Sequence, residues 1–240
     1  MSGQILYGDC LELLPAIPSA SVDMILCDLP YGTTRNPWDS IIDLDLLWPE
    51  YLRVAKPNAA IVLTAQTPFD KVLGFSRLDL LRYEWIWEKT TATGHLNAKR
   101  MPMKAHENVL VFYRSLPTYN PQMTTGHERK VSSAEHKRNS KATTNWGEHG
   151  LTSYDSTERY PRSVQVFATD KQKSKIHPTQ KPVALFEYLI RTYTNEGDVV
   201  LDNAAGSGTT AIAARNLGRN FVCMESNAEY YRASELRLAA

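Results

Sequence analysis

A short turn early in the chain gathers groups that could bind an amine. Asp28-Leu29-Pro30-Tyr31 follows the apolar, strand-like run 22–27. Because Leu29 precedes proline, it is held extended and its carbonyl is aimed outwards. A carboxylate, a carbonyl and an aromatic ring at the carboxyl edge of a sheet suit a planar group that bears an exocyclic amine. The alternative interpretation of the tetrapeptide is an ordinary capped turn.

A second group of residues has the pattern of a nucleotide site. Residues 201–210 run from a strand through Gly206 and Gly208 into a helix, so that bare backbone can approach a ligand. Glu225 stands seventeen residues past Gly208, at the end of the next strand, where an acidic residue binds ribose hydroxyls. The sequence has neither a Walker lysine nor a third glycine here, so an adenosine without phosphates fits better than a triphosphate or NAD. On their own, the glycines indicate only a turn that starts a helix.

Length, composition and cysteine usage limit the kind of protein that can carry these residues. The 240 residues allow one domain, or one domain with an insert. Hydrophobic residues at 42% and charged residues at 22% are typical of globular proteins, which excludes wholesale disorder. Cys10, Cys27 and Cys223 lie far apart, so neither a disulfide framework nor a zinc site is predicted. With no secretory signal and no apolar run long enough to span a membrane, we expect a soluble protein of the cytoplasm.

Strand-like and helix-like segments alternate on both sides of residues 114–176. The pattern predicts an α/β fold, Rossmann-like and doubly wound, with a mostly parallel sheet and helices on both faces. Proline, glycine and asparagine residues mark the turns between the predicted strands and helices. Strands are predicted at 22–27, 60–64, 83–87, 109–113, 199–201 and 221–224, and helices at 44–54 (which Pro49 could interrupt), from 182 onwards, at 209–217 and from 228 towards 238.

Residues 114–176 differ from the rest of the chain in composition. Eleven basic and six acidic residues give this segment a formal charge of +5, in a chain whose total is +1. Aromatic residues are interleaved with the charges, and aliphatic residues are sparse. Such a surface could meet a polyanion and stack on bases. A solvated, partly disordered loop is an equally good interpretation of the composition alone.

Together the motifs resemble the S-adenosylmethionine-dependent DNA amino-methyltransferases of the permuted β group. In that group a catalytic Asp-Pro-Pro-Tyr motif comes first, a target-recognition region follows and the cofactor glycines come last, as here. The resemblance implies a circularly permuted catalytic domain, 1–113 and 177–240, with an irregular basic recognition insert at 114–176. Further family-like stretches are 7–10 (YGDC), 52–57 (LRVAKP), 106–112 (HENVLVF) and 177–182 (HPTQKP).

The resemblance implies transfer of a methyl group from S-adenosylmethionine to an exocyclic nitrogen in double-stranded DNA. Asp28 and the Leu29 carbonyl would bind the amine, Asp28 would take its proton, and Tyr31 would stack on the base outside the duplex. No metal is needed, because the sulfonium is already an activated donor. The implied cofactor residues are Glu225 for the ribose, Gly206 and Gly208 for close backbone approach with Thr209 beside them, Asp202 for the amino-acid end, Asp9 and Cys10 for the adenine, and Lys181 with Thr179 for the methionine carboxylate.

Two departures from the family pattern affect these expectations. Leu29 replaces the first proline of the catalytic motif, but the group needed there is a main-chain carbonyl, which leucine also supplies. Residues 203–205 are Asn-Ala-Ala where the family usually has Pro-Phe-x. The missing phenylalanine would have formed an apolar wall near the cofactor, so weaker cofactor binding is expected. Trp38 and Asp39 are candidates for a loop that closes over the target, with a packed tryptophan as the alternative.

The resemblance favours adenine N6 as the methylated atom, because an aspartate heads the catalytic motif where cytosine-N4 members more often have serine. Cytosine N4 is the nearest alternative. RNA or protein-amide methylation is less favoured, since the motif order and basic insert belong to DNA enzymes. A relic that binds nucleic acid without methylating it is the alternative from another class, suggested by Ala204. Many relatives dimerise, so a homodimer is a further implied assembly.

Overall fold

Runs of buried aliphatic residues form the central strands of an eight-stranded sheet. The computed structural model describes residues 3–34, 36, 39–133, 153–169 and 180–239. In chain order the strands of the described residues are β1 (Gln4–Tyr7), β2 (Val22–Cys27), β3 (Ala55–Ala65), β4 (Leu81–Thr93), β5 (Lys104–Phe112), β6 (Lys130–Ser132), β7 (Tyr154–Ser156), β8 (Val164–Phe167), β9 (Val199–Asp202) and β10 (Asn220–Glu225).

The strand order makes neighbours of segments that are distant in the sequence. Across the sheet it is β1-β10-β9-β2-β3-β5-β4-β8. Every neighbouring pair is parallel except the two pairs that include β5, which runs against the others. The mostly parallel sheet predicted from the sequence is therefore confirmed.

Helices connect these strands and cover the sheet. The helix after β2 begins at Leu44 and is capped by Asp43, whose side chain accepts a hydrogen bond from the backbone N–H of Asp45 at 2.9 Å. It continues past Pro49, so the helix predicted at 44–54 is not interrupted there. None of the described helices combines the length and apolar character needed to cross a bilayer. The helices are α1 (Cys10–Leu13), α2 (Leu44–Val54), α3 (Phe69–Ser76), α4 (Val183–Tyr193), α5 (Thr209–Asn216) and α6 (Ala228–Ala239).

Alternate residues of β2 lie in two separate hydrophobic cores. Ile25 packs in the same core as Tyr51 of α2, whereas Met24 packs in the other core with Phe186 of α4. All four side chains are fully buried or nearly so. Because successive side chains of a strand point to opposite faces, the two cores lie on the two faces of the sheet. The doubly wound architecture is thus confirmed.

The centre of the sheet is where the chain changes its winding direction. β2 and β9 are neighbours, with Ile25 opposite Leu201. From β2 the chain continues to β3 on one side, and from β9 it continues to β10 on the other. Ligands of open α/β sheets bind beyond the carboxyl ends of the strands at such a point. Asp28 and Asp202 stand at these two carboxyl ends.

β4 and β5 are longer than the sequence predicts. Strands were expected at 83–87 and 109–113, but the pairing continues as far as Thr93 opposite Lys104. β8 pairs with β4 only as far as Lys89, and β3 pairs with β5 only from Asn108. Among the described residues, 90–106 therefore form a two-stranded ribbon that extends past the neighbouring strands at the carboxyl edge. Its residues are mostly polar and do not alternate, so no strand pattern marks them.

Residues Pro121–Arg162 form a separate small unit. Its described part contains β6 and β7, which pair antiparallel with Val131 opposite Asp155. The larger unit comprises Met1–Asn120 and Ser163–Ala240, and includes β8. The predicted recognition segment, 114–176, is thus wider than the small unit. Its role in target recognition stays a prediction.

Candidate active site

A cavity of about 780 Å³ lies beyond the carboxyl ends of β2 and β9. Its lining includes Asp28 and Tyr31 from the loop after β2, and Asp202, Gly206 and Glu225 from the segments after β9 and β10. The two motifs singled out in the sequence therefore face one cavity. Ligands held by the two loops would share this space, which a group transfer between them requires.

The carboxylate of Asp28 is held by three side chains at what we call the β2 end of the cavity. The Tyr31 hydroxyl donates to Asp28 Oδ1 at 2.6 Å, and the Thr64 hydroxyl donates to the same oxygen. The ammonium of Lys181 donates to Asp28 Oδ2 at 2.7 Å. These hydrogen bonds fix the orientation of the Asp28 carboxylate. Because Asp28 is only half-buried, the carboxylate still reaches the cavity.

Lys181 belongs to a buried ion network at this end. Its ammonium lies 3.1 Å from Glu107 Oε2, and Lys89 Nζ lies 2.6 Å from Glu107 Oε1. Burial alone would raise the pKa of Glu107, but the ammonium groups of Lys181 and Lys89 lower it to about 2. Burial opposes the charge of Lys181, yet the carboxylates of Asp28 and Glu107 raise its pKa. The two carboxylates and two ammonium groups balance one another.

Sequence reasoning did not identify three residues of this network. Glu107, Lys89 and Thr64 come from three different strands, and only strand pairing brings them to Asp28. A signal was present, because Glu107 is a charged residue two positions before the apolar strand residues 109–112. A charged residue in such a position is buried only when it is paired.

The rest of the catalytic motif is packed tightly. The Tyr31 ring stacks on Phe69 with 5.6 Å between centroids, and Lys181 Nζ lies 5.2 Å from the Tyr31 centroid. Burial and the neighbouring Asp28 carboxylate raise the pKa of Tyr31. Leu29 is buried in the core, while Pro30 is partly exposed, and both line the cavity.

Asp39 fixes the loop that follows the motif. Its Oδ1 accepts a hydrogen bond from the backbone N–H of Gly32 at 2.9 Å, and its Oδ2 accepts from those of Thr33 and Thr34. Burial works against the charge, but these hydrogen bonds lower the pKa of Asp39. Asp39 therefore acts as a local clamp on the loop. Trp38, proposed with it as part of a closing loop, lies outside the described residues.

At the other end of the cavity, called here the β9 end, Asp202 is buried without an ion pair to any described residue. Its Oδ1 accepts from the backbone N–H of Ala204 at 3.0 Å, and its Oδ2 accepts from the Thr210 hydroxyl. Burial raises the pKa of Asp202 to about 6. The carboxylate is thus costly to ionise until a cation arrives.

Glu225 lies at the same end and is likewise held by backbone groups. Gly206 N–H donates to its Oε2 and Asn227 N–H donates to its Oε1, both at 2.7 Å. Burial raises the pKa of Glu225 as well. Each oxygen keeps a lone pair that could accept a ligand hydroxyl.

Asp9 and Cys10, predicted to contact an adenine, also line the β9 end. Asp9 caps α1, accepting a hydrogen bond from Leu11 N–H at 2.8 Å, and it is exposed. Cys10 is buried, and its thiol accepts a 3.4 Å hydrogen bond from the Asn203 amide. Burial raises the pKa of that thiol. Asn203, which stands where the family usually has proline, therefore holds the Cys10 thiol in place.

The glycines and Thr209 take different positions. Gly206 and Thr209 line the cavity, whereas Gly208 is not among the described residues that do. Gly208 adopts φ +75°, and a Cβ there would lie 2.9 Å from the Ser234 side chain of α6. Its missing side chain thus allows helix packing. The cofactor roles of these residues stay predictions, as does that of Thr179, which lies outside the described residues.

Comparisons with known proteins find relatives along most of the chain. Residues 22–236 match a family described as DNA methylase. The chain is 29% identical over 242 residues to the type II methyltransferase M1.MboII of Moraxella bovis, covering 92% of this chain and 91% of that protein. It is 28% identical over 253 residues to the DNA adenine methyltransferase YhdJ of Escherichia coli (strain K12), covering 98% and 82%.

Solved structures share the fold along nearly the whole chain. The M1.HpyAVI–SAM complex superposes with a TM-score of 0.68 at 24% identity, covering 99% of both chains. The PvuII DNA methyltransferase, which is cytosine-N4-specific, gives a TM-score of 0.69 at 17% identity, covering 99% of this chain and 86% of that one. At these identities the likeness establishes the Rossmann-like fold.

Proposed function

The chain belongs to the DNA methylase family, and we propose that it transfers a methyl group from S-adenosylmethionine to the N6 amine of adenine in DNA. The observation that carries the proposal is the single cavity lined by both Asp28–Tyr31 and the segments around Asp202 and Glu225. One loop would hold the base and the other the methyl donor. Bringing two reactants into one oriented site is a main source of rate acceleration.

The β9 end fits S-adenosylmethionine in charge and in hydrogen-bonding groups. Asp202 and Glu225 are both buried, and burial raises the pKa of each. A ligand ammonium would pair with Asp202, and ribose hydroxyls would donate to the Glu225 oxygens. Gly206 and Asp9 would line the remaining wall. When bound, the cofactor supplies an activated methyl group on a sulfonium.

The acceptor atom for the target amine follows from the lone pairs of Asp28. Oδ1 already accepts from the hydroxyls of Tyr31 and Thr64, which uses both of its lone pairs. Oδ2 accepts from Lys181 and has one lone pair left. The exocyclic amine would therefore donate to Oδ2, and its second proton to the Leu29 carbonyl. These two hydrogen bonds would localise the nitrogen lone pair and aim it at the methyl group.

Lys181 and Glu107 would act as positioning residues for Asp28. Lys181 holds Oδ2 at 2.7 Å, and Glu107 holds Lys181 from the other side at 3.1 Å. Because both are nearly fully buried, little rotation is open to them. This assignment differs from the cofactor contact that the resemblance implies for Lys181. The two roles predict different kinetic defects for a variant without the ammonium: a lower kcat if Lys181 positions Asp28, and a higher KM for the cofactor if Lys181 binds the methionine carboxylate.

The proton of the methylated amine also needs an acceptor. Methylation would form an N–C bond as the methyl–sulfur bond of the sulfonium breaks and its electron pair stays on sulfur. The nitrogen would become cationic, so one N–H proton must leave. Asp28 Oδ2 is the nearest carboxylate oxygen to the proposed amine position and would take that proton. Tyr31 would stack on the extruded base, offsetting an unstacking cost of about a few kcal/mol.

Adenine is the proposed target because an aspartate heads the catalytic motif, and because a relative similar over 98% of this chain is a DNA adenine methyltransferase. Cytosine N4 is the second candidate, favoured by the shared fold with a cytosine-N4-specific enzyme. Double-stranded DNA in a bacterial or phage-infected cytoplasm is the proposed substrate and setting. Residues 114–176 are proposed to read the target sequence.

Product analysis tests this proposal directly. The protein is incubated with tritiated S-adenosylmethionine and unmethylated genomic DNA, and the digested nucleosides are separated by chromatography. Label in N6-methyladenine is expected. Label in N4-methylcytosine would replace adenine by cytosine, and DNA binding without any label would support the non-methylating relic.

The variant Asp28→Ala tests the catalytic assignment. We expect loss of methyl transfer with cofactor binding, measured by calorimetry, largely retained. Asp79→Ala is a matched control, because Asp79 is exposed and pairs only with Arg77 among the described residues. If Asp28→Ala kept its activity, Asp28 would not be the amine acceptor.

A further inference from the structure

The ribbon at 90–106 carries a charge and an exposure that the proposed chemistry does not use. Residues 90–106 contain three Lys or Arg residues and no Asp or Glu. Lys104 donates a hydrogen bond to the Gln66 side chain, whereas Lys99 and Arg100 are exposed and form no ion pair or hydrogen bond through their side chains with any described residue. The tip of the ribbon therefore presents unpaired positive charge to solvent.

The same tip exposes apolar side chains. Leu96 is 88% exposed, and Met101 and Met103 are more than two-fifths exposed. The tip is nevertheless an ordered turn, since Asn97 N–H donates to the Gly94 carbonyl and Arg100 N–H donates to the Asn97 carbonyl. An ordered, basic turn that also presents a large apolar side chain is suited to a polymer in which phosphate groups surround a stack of planar rings.

The position of the ribbon relative to the cavity further limits the kind of molecule that the ribbon could bind. Thr93, Gly94, Asn97 and Lys104 line the cavity that also contains Asp28. Leu96 therefore lies in the chain between Gly94 and Asn97, two residues that line the cavity containing the proposed base site. Any duplex that delivers a base to Asp28 would come close to this turn.

We infer that the ribbon tip binds duplex DNA beside the target base. Lys99 and Arg100 would contact backbone phosphates, and Leu96 would insert into the gap that the extruded base leaves. The inference rests on the proposed function and adds a DNA-contacting element outside residues 114–176. An apolar side chain inserted at that step would offset part of the unstacking cost. The two cations would add phosphate contacts that carry no sequence information.

Salt dependence tests the cationic part on any duplex, whether or not it is methylated. Lys99→Gln combined with Arg100→Gln should weaken duplex binding about tenfold or more at moderate salt and lower the slope of log affinity against log salt by about 2. The control is Arg191→Gln combined with Arg232→Gln, two exposed cations on α4 and α6. An unchanged slope, or an equal change in the control, would overturn the inference.

The wedge is tested with Leu96→Ala and two versions of an oligonucleotide duplex that carries an unmethylated target base. One version pairs the target base normally, and the other places a mismatch opposite it, which lowers the cost of extrusion. Leu96→Ala should reduce kcat/KM about tenfold on the paired duplex and less than threefold on the mismatched one. Leu236→Ala, which truncates a 74% exposed leucine on α6, should change neither.

The outcomes separate this inference from the proposed function. If the wild-type protein binds DNA but labels no nucleoside, the methylase proposal fails while the salt-slope test of the ribbon still stands. Equal losses for Leu96→Ala on both duplexes would refute the wedge. A change in sedimentation of the variants with unchanged DNA affinity would make the ribbon a protein–protein contact instead.

Discussion

At the β2 end of the cavity, the carboxylates of Asp28 and Glu107 form ion pairs with two lysine ammonium groups. At the β9 end, Asp202 and Glu225 accept hydrogen bonds only from neutral donors among the described residues. Glu107 and Asp202 are both buried, but the consequences of burial differ. The pKa of Glu107 falls to about 2, and that of Asp202 rises to about 6.

This difference matches the charges of the two proposed ligands. A nucleobase is neutral, so the end that receives it needs a carboxylate whose charge is already balanced and whose position is fixed. S-adenosylmethionine carries an ammonium and a sulfonium, so the end that receives it can leave its acids without a cation. One end is therefore electrostatically complete before binding, and the other is completed by its ligand.

After the loss of activity expected for Asp28→Ala, the largest effect is expected from removing the positive charge that pairs with Asp28 at the β2 end. Lys181→Met leaves Asp28 without its positioning partner, so kcat should fall about 100-fold, as small misplacements of reacting groups do. The KM for the cofactor should stay within about threefold, because the Lys181 ammonium, which the substitution removes, pairs with Asp28 and Glu107 at the β2 end. Steady-state kinetics with saturating DNA measure both parameters.

Two further variants make this result decisive. Lys89→Met removes the other buried ammonium of the network without touching Asp28, and should cost stability while leaving kcat within a few-fold. Lys181→Arg keeps the charge and should restore part of kcat. If Lys181→Met instead raised the cofactor KM with kcat unchanged, Lys181 would bind the methionine carboxylate, as the resemblance implies. Circular dichroism confirms that each variant is folded.

The second largest effect in this comparison is expected at the β9 end of the cavity, which is proposed to bind the ligand ammonium. Asp202→Asn keeps the size of the side chain but removes its charge, and should weaken cofactor binding about 10- to 100-fold, the value of a charge-assisted hydrogen bond. At saturating cofactor, kcat should change only a few-fold. Isothermal titration calorimetry gives the affinity. Asp198→Asn, outside the cavity lining, is the control, and an unchanged affinity in Asp202→Asn would remove Asp202 from the cofactor site.

A pH profile of cofactor affinity sharpens the same contrast. With its pKa raised to about 6, Asp202 is protonated below that pH and then has no charge to offer an ammonium. Affinity should therefore fall about tenfold between pH 7 and pH 5. Asp202→Asn should flatten the profile. A wild-type affinity that held steady or rose on acidification would contradict this sign.

The smallest effect is expected at Asp9, where exposure to solvent screens the charge. Asp9→Asn keeps a good helix-capping residue, so the melting temperature should be nearly unchanged and cofactor affinity should fall only two- to threefold. Asp9→Ala should also lose about 1 kcal/mol of stability, since the α1 cap is lost. Thermal melts and calorimetry separate the two contributions. A loss in Asp9→Asn as large as that of Asp202→Asn would end the distinction between exposed and buried acids.

Much of this arrangement could be predicted from the sequence because its parts are local. The strand that ends at Asp28 and the strand–glycine–helix unit after β9 are each continuous segments, and their positions at the sheet edge follow from parallel pairing. The doubly wound fold follows for the same reason. Alternating strands and helices leave few other arrangements.

The remaining features depend on pairing between distant segments. The contacts of Glu107 with Lys89 and Lys181 exist only because β4 and β5 pair and α4 begins beside them, and no spacing rule gives that. The contact of Lys181 with Asp28 has the same origin. The ribbon was missed for a different reason, because its polar strands are held by each other and not by burial.

The position of β1 has a consequence for how the chain matures during synthesis. β1 emerges first from the ribosome, yet its partner in the sheet is β10, with Tyr7 opposite Glu225. Asp9 follows β1 and Glu225 ends β10, so the β9 end cannot close until translation is almost complete. Nascent chains would thus have the paired β2 and β3 before they could retain a methyl donor, which makes cofactor capture a late event in biogenesis.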